Sequence, residues 1–118
     1  MSVQGRDINL LDAPGYPDFV GEAVCGLHAV ETAVICINAA DGIRVNTRKM
    51  WELAGTLGVA RFIALNKMDH DNVKYPELVA SIQEIFGKEC APVFLPLGTG
   101  DAFKGVANLV LNPDSAPA

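Results

Sequence analysis

The stretch DAPGYPDF, residues 12–19, follows a short apolar run at residues 8–11 and precedes an amphipathic segment that starts at Val20. An acidic residue and a Pro-Gly turn at the end of a strand are typical of ligand-contacting loops, because such loops lie on the surface while rigid elements hold their ends. Gly15 allows the backbone to approach a ligand or to adopt positive φ. The same residues also fit an ordinary turn, so the stretch alone leaves both interpretations open.

Composition indicates one small globular domain or part of a larger one. Of the 118 residues, 50% are hydrophobic and 19% are charged, which is typical of a folded chain. The net charge of −5 argues against a nucleic-acid surface built from bulk charge, so we expect no direct DNA binding. Apolar segments too short to span a bilayer, and no recognisable signal peptide, predict a cytoplasmic protein without a membrane anchor.

The three cysteines, Cys25, Cys36 and Cys90, include no C-x-x-C pair. Their odd number and wide spacing predict neither a disulfide framework nor a zinc site. We therefore expect reduced thiols, which fits a reducing compartment.

Apolar patterning predicts strands that alternate with helices. Strands are expected at residues 8–11, 33–37, 61–65 and 93–97, and helices at about 18–29, 46–57 and 76–86. The expected helix caps are Asp18 for the first helix and Asn46 or Thr47 for the second. Continuous apolar runs indicate strands buried on both faces, while Pro96 indicates an edge strand. This order favours an α/β fold with a mainly parallel sheet of about four strands and flanking helices.

Polar residues lie just after three of the predicted strands. Asp12, Asp41 and the run at residues 66–69 should therefore meet at one edge of the sheet, although they are far apart in sequence. Ligands of parallel sheets bind beyond the carboxyl ends of the strands. We interpret Asp41 itself as a turn residue and the other two segments as candidate ligand loops.

Asn66, Lys67 and Asp69 form an N-K-x-D pattern at a strand end. A carboxylate accepts two parallel hydrogen bonds from a planar N–H pair such as the N1–H and N2–H₂ edge of guanine. Asn66 can hold the loop, and the aliphatic stem of Lys67 can lie along a purine face. Taken alone, the four residues fit a polar turn better than a base-binding loop.

Asp12 and Gly15 have a matching chemical rationale. Asp12 is a candidate to hold Mg²⁺ through a water molecule, and the Gly15 N–H is a candidate to meet a terminal phosphate. Ala13 and Pro14 complete this D-x-P-G loop. An N–H that meets a phosphate only when the phosphate is present makes a switch, because the following helix moves when the phosphate leaves.

Together, the two patterns resemble the GTP-binding domain of the translational GTPases, and within them elongation factor G and its paralogues. The matching runs lie at residues 8–22, 40–51 and 64–69, and residues 95–106 resemble the start of the subdomain that elongation factor G inserts. The resemblance implies a partial P-loop GTPase domain at residues 1–92 and the start of the insert at residues 93–111. Composition predicts a disordered tail at residues 112–118.

The resemblance also implies a ligand and a partner. The parent protein would bind GTP or GDP with Mg²⁺ and act on the ribosome during elongation. Asp12 would serve Mg²⁺ through water, and Gly15 would contact the γ-phosphate. Asn66, Lys67 and Asp69 would read guanine.

Two departures from the family pattern matter. The chain contains no G-x-x-x-x-G-K-S/T, and in the family the phosphate-loop strand lies between the strands predicted here at residues 8–11 and 33–37. We therefore expect the isolated chain to bind GTP weakly or not at all, and to be inactive. Without that central strand, the two strands would either pair with each other or leave open edges through which chains associate.

The second departure is Tyr16, which stands where the family has a His that positions the attacking water. A phenol donates a hydrogen bond to water but is a weak base at neutral pH. An alternative of a different class therefore stays open, namely a non-catalytic ribosome-interaction module derived from such a GTPase.

Overall fold

The computed structural model describes residues 1–112, so the tail predicted at residues 112–118 lies outside the described residues except for residue 112. Strands and helices alternate along the described range, as expected. The elements are β1 (Ser2–Val3), β2 (Arg6–Asp7), a 3₁₀ helix (Pro17–Phe19), α1 (Val20–Leu27), β3 (Thr32–Asn38), α2 (Val45–Thr56), β4 (Ala60–Asn66), α3 (Tyr75–Phe86), β5 (Phe94–Pro96), a second 3₁₀ helix (Gly100–Ala102) and β6 (Val106–Asn108).

The centre of the fold is the parallel pair β3–β4. Thr32 pairs with Ala60 at one end, and Asn38 pairs with Asn66 at the other. Both strands contain the apolar runs predicted as strands, and each is one residue longer at either end. The parallel arrangement predicted for them is confirmed.

Burial of this pair is confined to one face, so the prediction of strands buried on both faces is wrong. Ile37 is 1% exposed and belongs to the main core cluster. On the opposite face, the register partners Val34 and Phe62 are each 56% exposed. No described element packs fully over that second face.

Helix α3 supplies most of the core. Leu78, Ile82 and Phe86 are buried, and their spacing of four residues places them on one face of a helix. Burying side chains of this size stabilises the fold by about 1.5–3 kcal/mol each. As predicted, Pro76 lies in the first turn and Gly87 follows the last residue, with a φ of 113° that favours glycine.

Helix α2 begins at Val45, before both of the predicted cap residues, so the predicted cap is wrong. Arg44 is the N-cap residue, and its backbone N–H donates to Thr47 Oγ1 at 3.4 Å. Trp51 holds the helix in place because its ring lies 4.7 Å from that of Phe86 and 4.2 Å from the Arg61 guanidinium. The helix is therefore fixed to both β4 and α3.

The strand predicted at residues 8–11 is not formed. β1 and β2 make a small hairpin around Gln4 and Gly5, and only Ile8 extends it by exchanging hydrogen bonds with Met1 at 2.7 and 2.8 Å. Residues 9–15 have no secondary structure and are exposed. A strand needs a neighbour for its N–H and C=O groups, and within residues 1–112 β3 does not provide one. The direct pairing considered for these two segments is therefore wrong.

Asp18 does not cap α1. It lies inside the preceding 3₁₀ helix, and the N-cap residue of α1 is Phe19. The Pro17 ring favours this tight turn because it fixes φ near the helical value. Helix α1 has no buried residue, so it is held less firmly than α2 and α3.

The fourth predicted strand pairs differently from the expectation. β5 pairs antiparallel with β6, and the described residues form three two-stranded sheets instead of one sheet of about four strands. The chain turns back after Pro96, because Leu97 accepts a hydrogen bond from Lys104 N–H and donates one to the Gly105 carbonyl, both at 2.9 Å. Within residues 1–112, no helix is long and apolar enough to cross a membrane.

Candidate functional site

The tips of β3 and β4 lie side by side because Asn38 and Asn66 are register partners. Asn38 Oδ1 accepts the Ala40 N–H at 3.1 Å, and its amide donates to Asp41 Oδ2 at 2.8 Å. Asn66 Oδ1 accepts the Lys67 N–H at 2.9 Å. Each asparagine thus folds the loop that follows its own strand. The two loops lie at the same edge of the sheet, as predicted, and Asp41 is a turn residue.

The N-K-x-D loop is anchored from below. Met68 is 7% exposed and belongs to the core cluster, and its carbonyl accepts the Gly100 N–H at 2.9 Å. Asn66, Lys67 and Asp69 are exposed. Burial of the third residue in the pattern therefore leaves the other three available to a ligand.

The D-x-P-G loop approaches the same edge from the other side. Asn46, in the first turn of α2, donates from Nδ2 to the Gly15 carbonyl at 3.1 Å. Asp12 is exposed, and within residues 1–112 no hydrogen bond or ion pair restrains its carboxylate. A hydrogen bond therefore holds the loop at Gly15, while the exposed Asp12 side chain is accessible to a ligand.

A cleft of about 740 Å³ lies between the D-x-P-G loop and the N-K-x-D loop. It brings Gly15 and Tyr16 together with Lys67, three of the residues predicted from the sequence. Its lining residues are Gly15, Tyr16, Pro17, Asn38, Arg44, Val45, Asn46 and Lys67. The other predicted residues, Asp12, Ala13, Pro14, Asn66 and Asp69, do not line this cleft.

A larger apolar cleft of about 930 Å³ runs along β4. Phe62, Val93 and Phe94 contribute to its walls, and it contains none of the predicted site residues. The smaller cleft is the better candidate because residues of both predicted ligand loops line it, together with the cationic side chains of Arg44 and Lys67.

Asn38, Arg44 and Asn46 were missed as site residues by the sequence interpretation. The position of Asn38 at a strand tip is a signal that could have identified it. Arg44 forms an ion pair with Asp41 at 2.9 Å, but both side chains are well exposed, so the pair adds little stability. No sequence signal links Asn46 to a loop that lies 31 residues earlier.

The described residues supply few metal ligands. Within residues 1–112, no three His, Cys, Asp or Glu side chains are grouped as they would be in a protein-only metal site. Mg²⁺ commonly keeps several waters and binds one or two carboxylates together with substrate phosphates. The unrestrained Asp12 carboxylate fits that mode.

Residues 1–112 match the protein family described as the elongation factor Tu GTP binding domain. The chain belongs to that family. Membership confirms the resemblance to the GTP-binding domains of translational GTPases.

Curated relatives within this GTPase family include two kinds of translation factor. An elongation factor G-like protein of Mycobacterium tuberculosis is 36% identical over 100 residues, which is 85% of this chain and 14% of that protein. The elongation factor G-like protein of Thermotoga maritima is 29% identical over 107 residues, covering 91% of this chain and 16% of that protein. Peptide chain release factor 3 of Limosilactobacillus reuteri is 36% identical over 103 residues, which is 87% of this chain and 20% of that protein. The chain thus spans at most a fifth of the length of these relatives.

Proposed function

We propose that this chain forms the guanine-reading and phosphate-sensing part of a translational GTPase, and that the whole protein binds Mg·GTP and acts on the ribosome during elongation. The observation that carries the proposal is the single cleft that Gly15 and Lys67 both line. In this proposal residues 1–92 belong to the GTP-binding domain, and residues 93–111 begin the inserted subdomain. Work on the ribosome would place the protein in the cytoplasm.

Guanine recognition falls to the loop after β4. Asp69 would accept the N1–H and N2–H₂ groups of the base, and the Lys67 stem would cover one purine face. Asn66 would act indirectly, because its side-chain oxygen is already engaged by the Lys67 N–H at 2.9 Å. Met68 is buried in the core beneath them and would fix the position of the loop relative to the sheet.

Phosphate sensing falls to residues 12–15. Asp12 would hold Mg²⁺ through a water molecule, and the Gly15 N–H would meet the γ-phosphate. When bound, the cation would neutralise charge on the phosphates. Ala13 and Pro14 would shape the turn between these two contacts, and α1, which has no buried residue, would follow the loop as it moves.

Tyr16 bears on whether the parent protein hydrolyses GTP. The side chain lines the cleft and is 74% exposed. In the water-positioning place it would donate a hydrogen bond to water, but at neutral pH it would be a weak general base. This observation favours a second candidate, a non-catalytic ribosome-interaction module. Cosedimentation with ribosomes without GTP turnover would support the second candidate, and ribosome-stimulated turnover would support the GTPase.

The test of nucleotide recognition is a titration of the ¹⁵N-labelled chain with Mg·GTP and Mg·ATP. We expect weak binding in which GTP, but not ATP, shifts the amide resonances of residues 66–69. Asp69→Ala should remove the shift, because the paired acceptor for guanine is lost, with a loss of about 5- to 150-fold in affinity. Asp71→Ala, another exposed carboxylate two residues later, is the matched control and should behave like the parent chain.

Equal shifts with ATP and GTP, or an unchanged response in Asp69→Ala, would contradict guanine recognition by this loop. Submicromolar affinity for GTP would contradict the separate expectation that the chain binds weakly without a phosphate loop.

A further inference from the structure

Asn46 makes the contact that ties the D-x-P-G loop to the rest of the molecule. Its Nδ2 donates to the Gly15 carbonyl at 3.1 Å across 31 residues of sequence. Among the residues that the structure describes, this is the one hydrogen bond that joins residues 9–15 to another element. Without it, the loop would be attached only through its two chain ends.

The donor itself is held in place. Asn46 lies in the first turn of α2, where Arg44 pairs with Asp41 at 2.9 Å and donates from its backbone to Thr47. Further along the helix, Ala54 is fully buried, and Trp51 is stacked between its neighbours. An amide on this rigid element can direct a flexible loop, since the helix has little freedom to follow it.

We infer that Asn46 is a positioning residue for the D-x-P-G loop: it fixes the Gly15–Tyr16 peptide so that both residues face the cleft opposite Lys67. The Gly15 carbonyl and the Tyr16 N–H share one peptide plane, so holding the oxygen also orients the start of the Tyr16 backbone. This role rests on the proposed function, in which the Gly15 N–H meets a phosphate. It adds a residue outside both sequence motifs to the site.

Replacing Asn46 by a charged residue distinguishes a structural role of Asn46 at the start of α2 from its role as a hydrogen-bond donor to Gly15. An aspartate in the first turn of a helix is favoured by the helix dipole, so Asn46→Asp should leave α2 intact. The carboxylate has no N–H to donate and repels the Gly15 carbonyl oxygen. Asn46→Asp therefore removes the tether and keeps the helix, while Asn46→Gln keeps a donor on a longer side chain.

The experiment measures backbone order parameters of Gly15 and Tyr16 by ¹⁵N relaxation in the nucleotide-free chain. We expect values typical of ordered backbone in the parent chain, falling below about 0.6 in Asn46→Ala and Asn46→Asp. Asn46→Gln should retain most of the order. Lys49→Ala, an exposed change on the same helix, should match the parent, and circular dichroism should show an unchanged helix content in Asn46→Asp.

Parent-like order at Gly15 and Tyr16 in both Asn46→Ala and Asn46→Asp would overturn the inference. This outcome does not depend on nucleotide binding, so it is distinct from failure of the GTP titration. If the titration succeeds, the uncharged Asn46→Ala should also weaken GTP relative to GDP by about 2- to 10-fold, since only GTP carries the phosphate that Gly15 would meet. An equal effect on both nucleotides would contradict the role at the γ-phosphate.

Discussion

Lys67 has a φ of 60°, in the left-handed region that side chains with a Cβ rarely adopt. The conformation costs about 1–2 kcal/mol and is sustained by its surroundings. The Lys67 N–H donates to Asn66 Oδ1 at 2.9 Å, and its carbonyl accepts the His70 N–H at 3.2 Å. A lysine in a place that suits glycine indicates that the side chain has a use there, which in the proposed function is to cover the purine.

Replacing Lys67 by glycine should increase the stability of the fold and weaken ligand binding. Lys67→Gly is expected to raise the free energy of unfolding by about 0.5–1 kcal/mol, because relief of backbone strain exceeds the added freedom of the unfolded chain. The same change should remove the guanine-dependent shifts of residues 66–69. Urea denaturation and the GTP titration measure the two effects.

The control for Lys67→Gly is Lys49→Gly in the exposed middle of α2, which should lower stability by about 1 kcal/mol. A loss of stability in Lys67→Gly as large as that of the control would contradict backbone strain at residue 67.

Cys90 should differ from the other two cysteines in reactivity. Burial raises the pKa of the Cys90 thiol, Glu89 raises it further, and Arg61 opposes the rise. Cys25 and Cys36 are exposed. Because the thiolate is the reactive form, iodoacetamide at neutral pH should label Cys90 last, as followed by mass spectrometry of tryptic peptides. In urea the three rates should converge, and early labelling of Cys90 in the folded chain would contradict its protection.

At the scale of elements, the β5–β6 hairpin supports the N-K-x-D loop. The Gly100 N–H donates to the Met68 carbonyl at 2.9 Å, and Leu97 exchanges hydrogen bonds with Lys104 and Gly105. Gly98, with a φ of 86°, lies so close to the Ala102 carbonyl that an added Cβ would collide with it. The turn that supports Met68 therefore depends on glycine at this position.

Gly98→Ala should loosen this support. The added methyl group strains the backbone by about 1–2 kcal/mol, which corresponds to about 5- to 30-fold faster opening. Hydrogen exchange should show that increase at the Leu97 and Lys104 amides, and the Met68 amide resonance should move. Thr99→Ala, at a neighbouring position without side-chain cap bonding, should exchange like the parent chain, and an unchanged rate in Gly98→Ala would rule out this support.

The elements predicted well from the sequence are those whose partners lie inside the chain. The apolar runs of β3 and β4 pair with each other, and the spacing of Leu78, Ile82 and Phe86 forms the face of α3 that meets them. Residues 8–11 have an equally clear apolar pattern but form no strand, because apolar character does not supply hydrogen-bond partners. The fourth strand lies where it was predicted, but its pairing was predicted wrongly because its partner, β6, follows it in sequence.

The candidate site, like the fold, was predicted in part from the sequence. Lys67 follows the tip of β4, where ligands of parallel sheets bind. Gly15 and Tyr16 line the same cleft, although the residues before them form no strand. Asn46 fits a helix cap by its residue type and position. Its actual bond to Gly15 depends on how α2 lies against the loop, which local pattern does not encode.

At the scale of the whole molecule, β3 has an open edge. Within residues 1–112 it pairs only with β4, and its seven residues include neither a charge nor a proline. Natural proteins usually protect such edges with charged side chains, Pro or bulges. A strand of this length is about 23 Å long, which offers less surface than a stable interface needs, so we expect weak pairing between copies.

Sedimentation velocity over rising concentration should therefore show reversible self-association of the chain. Val34→Lys places a charge on this edge strand and should give a monomer at every concentration. Ala80→Lys adds the same charge on the exposed side of α3 and should associate like the parent chain. A monodisperse monomer in the parent chain would contradict association through β3.

The pairing of Asn38 with Asn66 also bears on how the chain reaches its native state. A slip of one residue between β3 and β4 would turn every side chain of one strand to the opposite face. It would also displace the N-K-x-D loop after β4 from the turn after β3 along the strand by about 3.3 Å. A nucleotide bound in the cleft that Asn38 and Lys67 both line would bind only the correct alignment and would favour it by mass action. The ligand would in this way act as a folding template, because it would select chains in which β3 and β4 pair in the correct register.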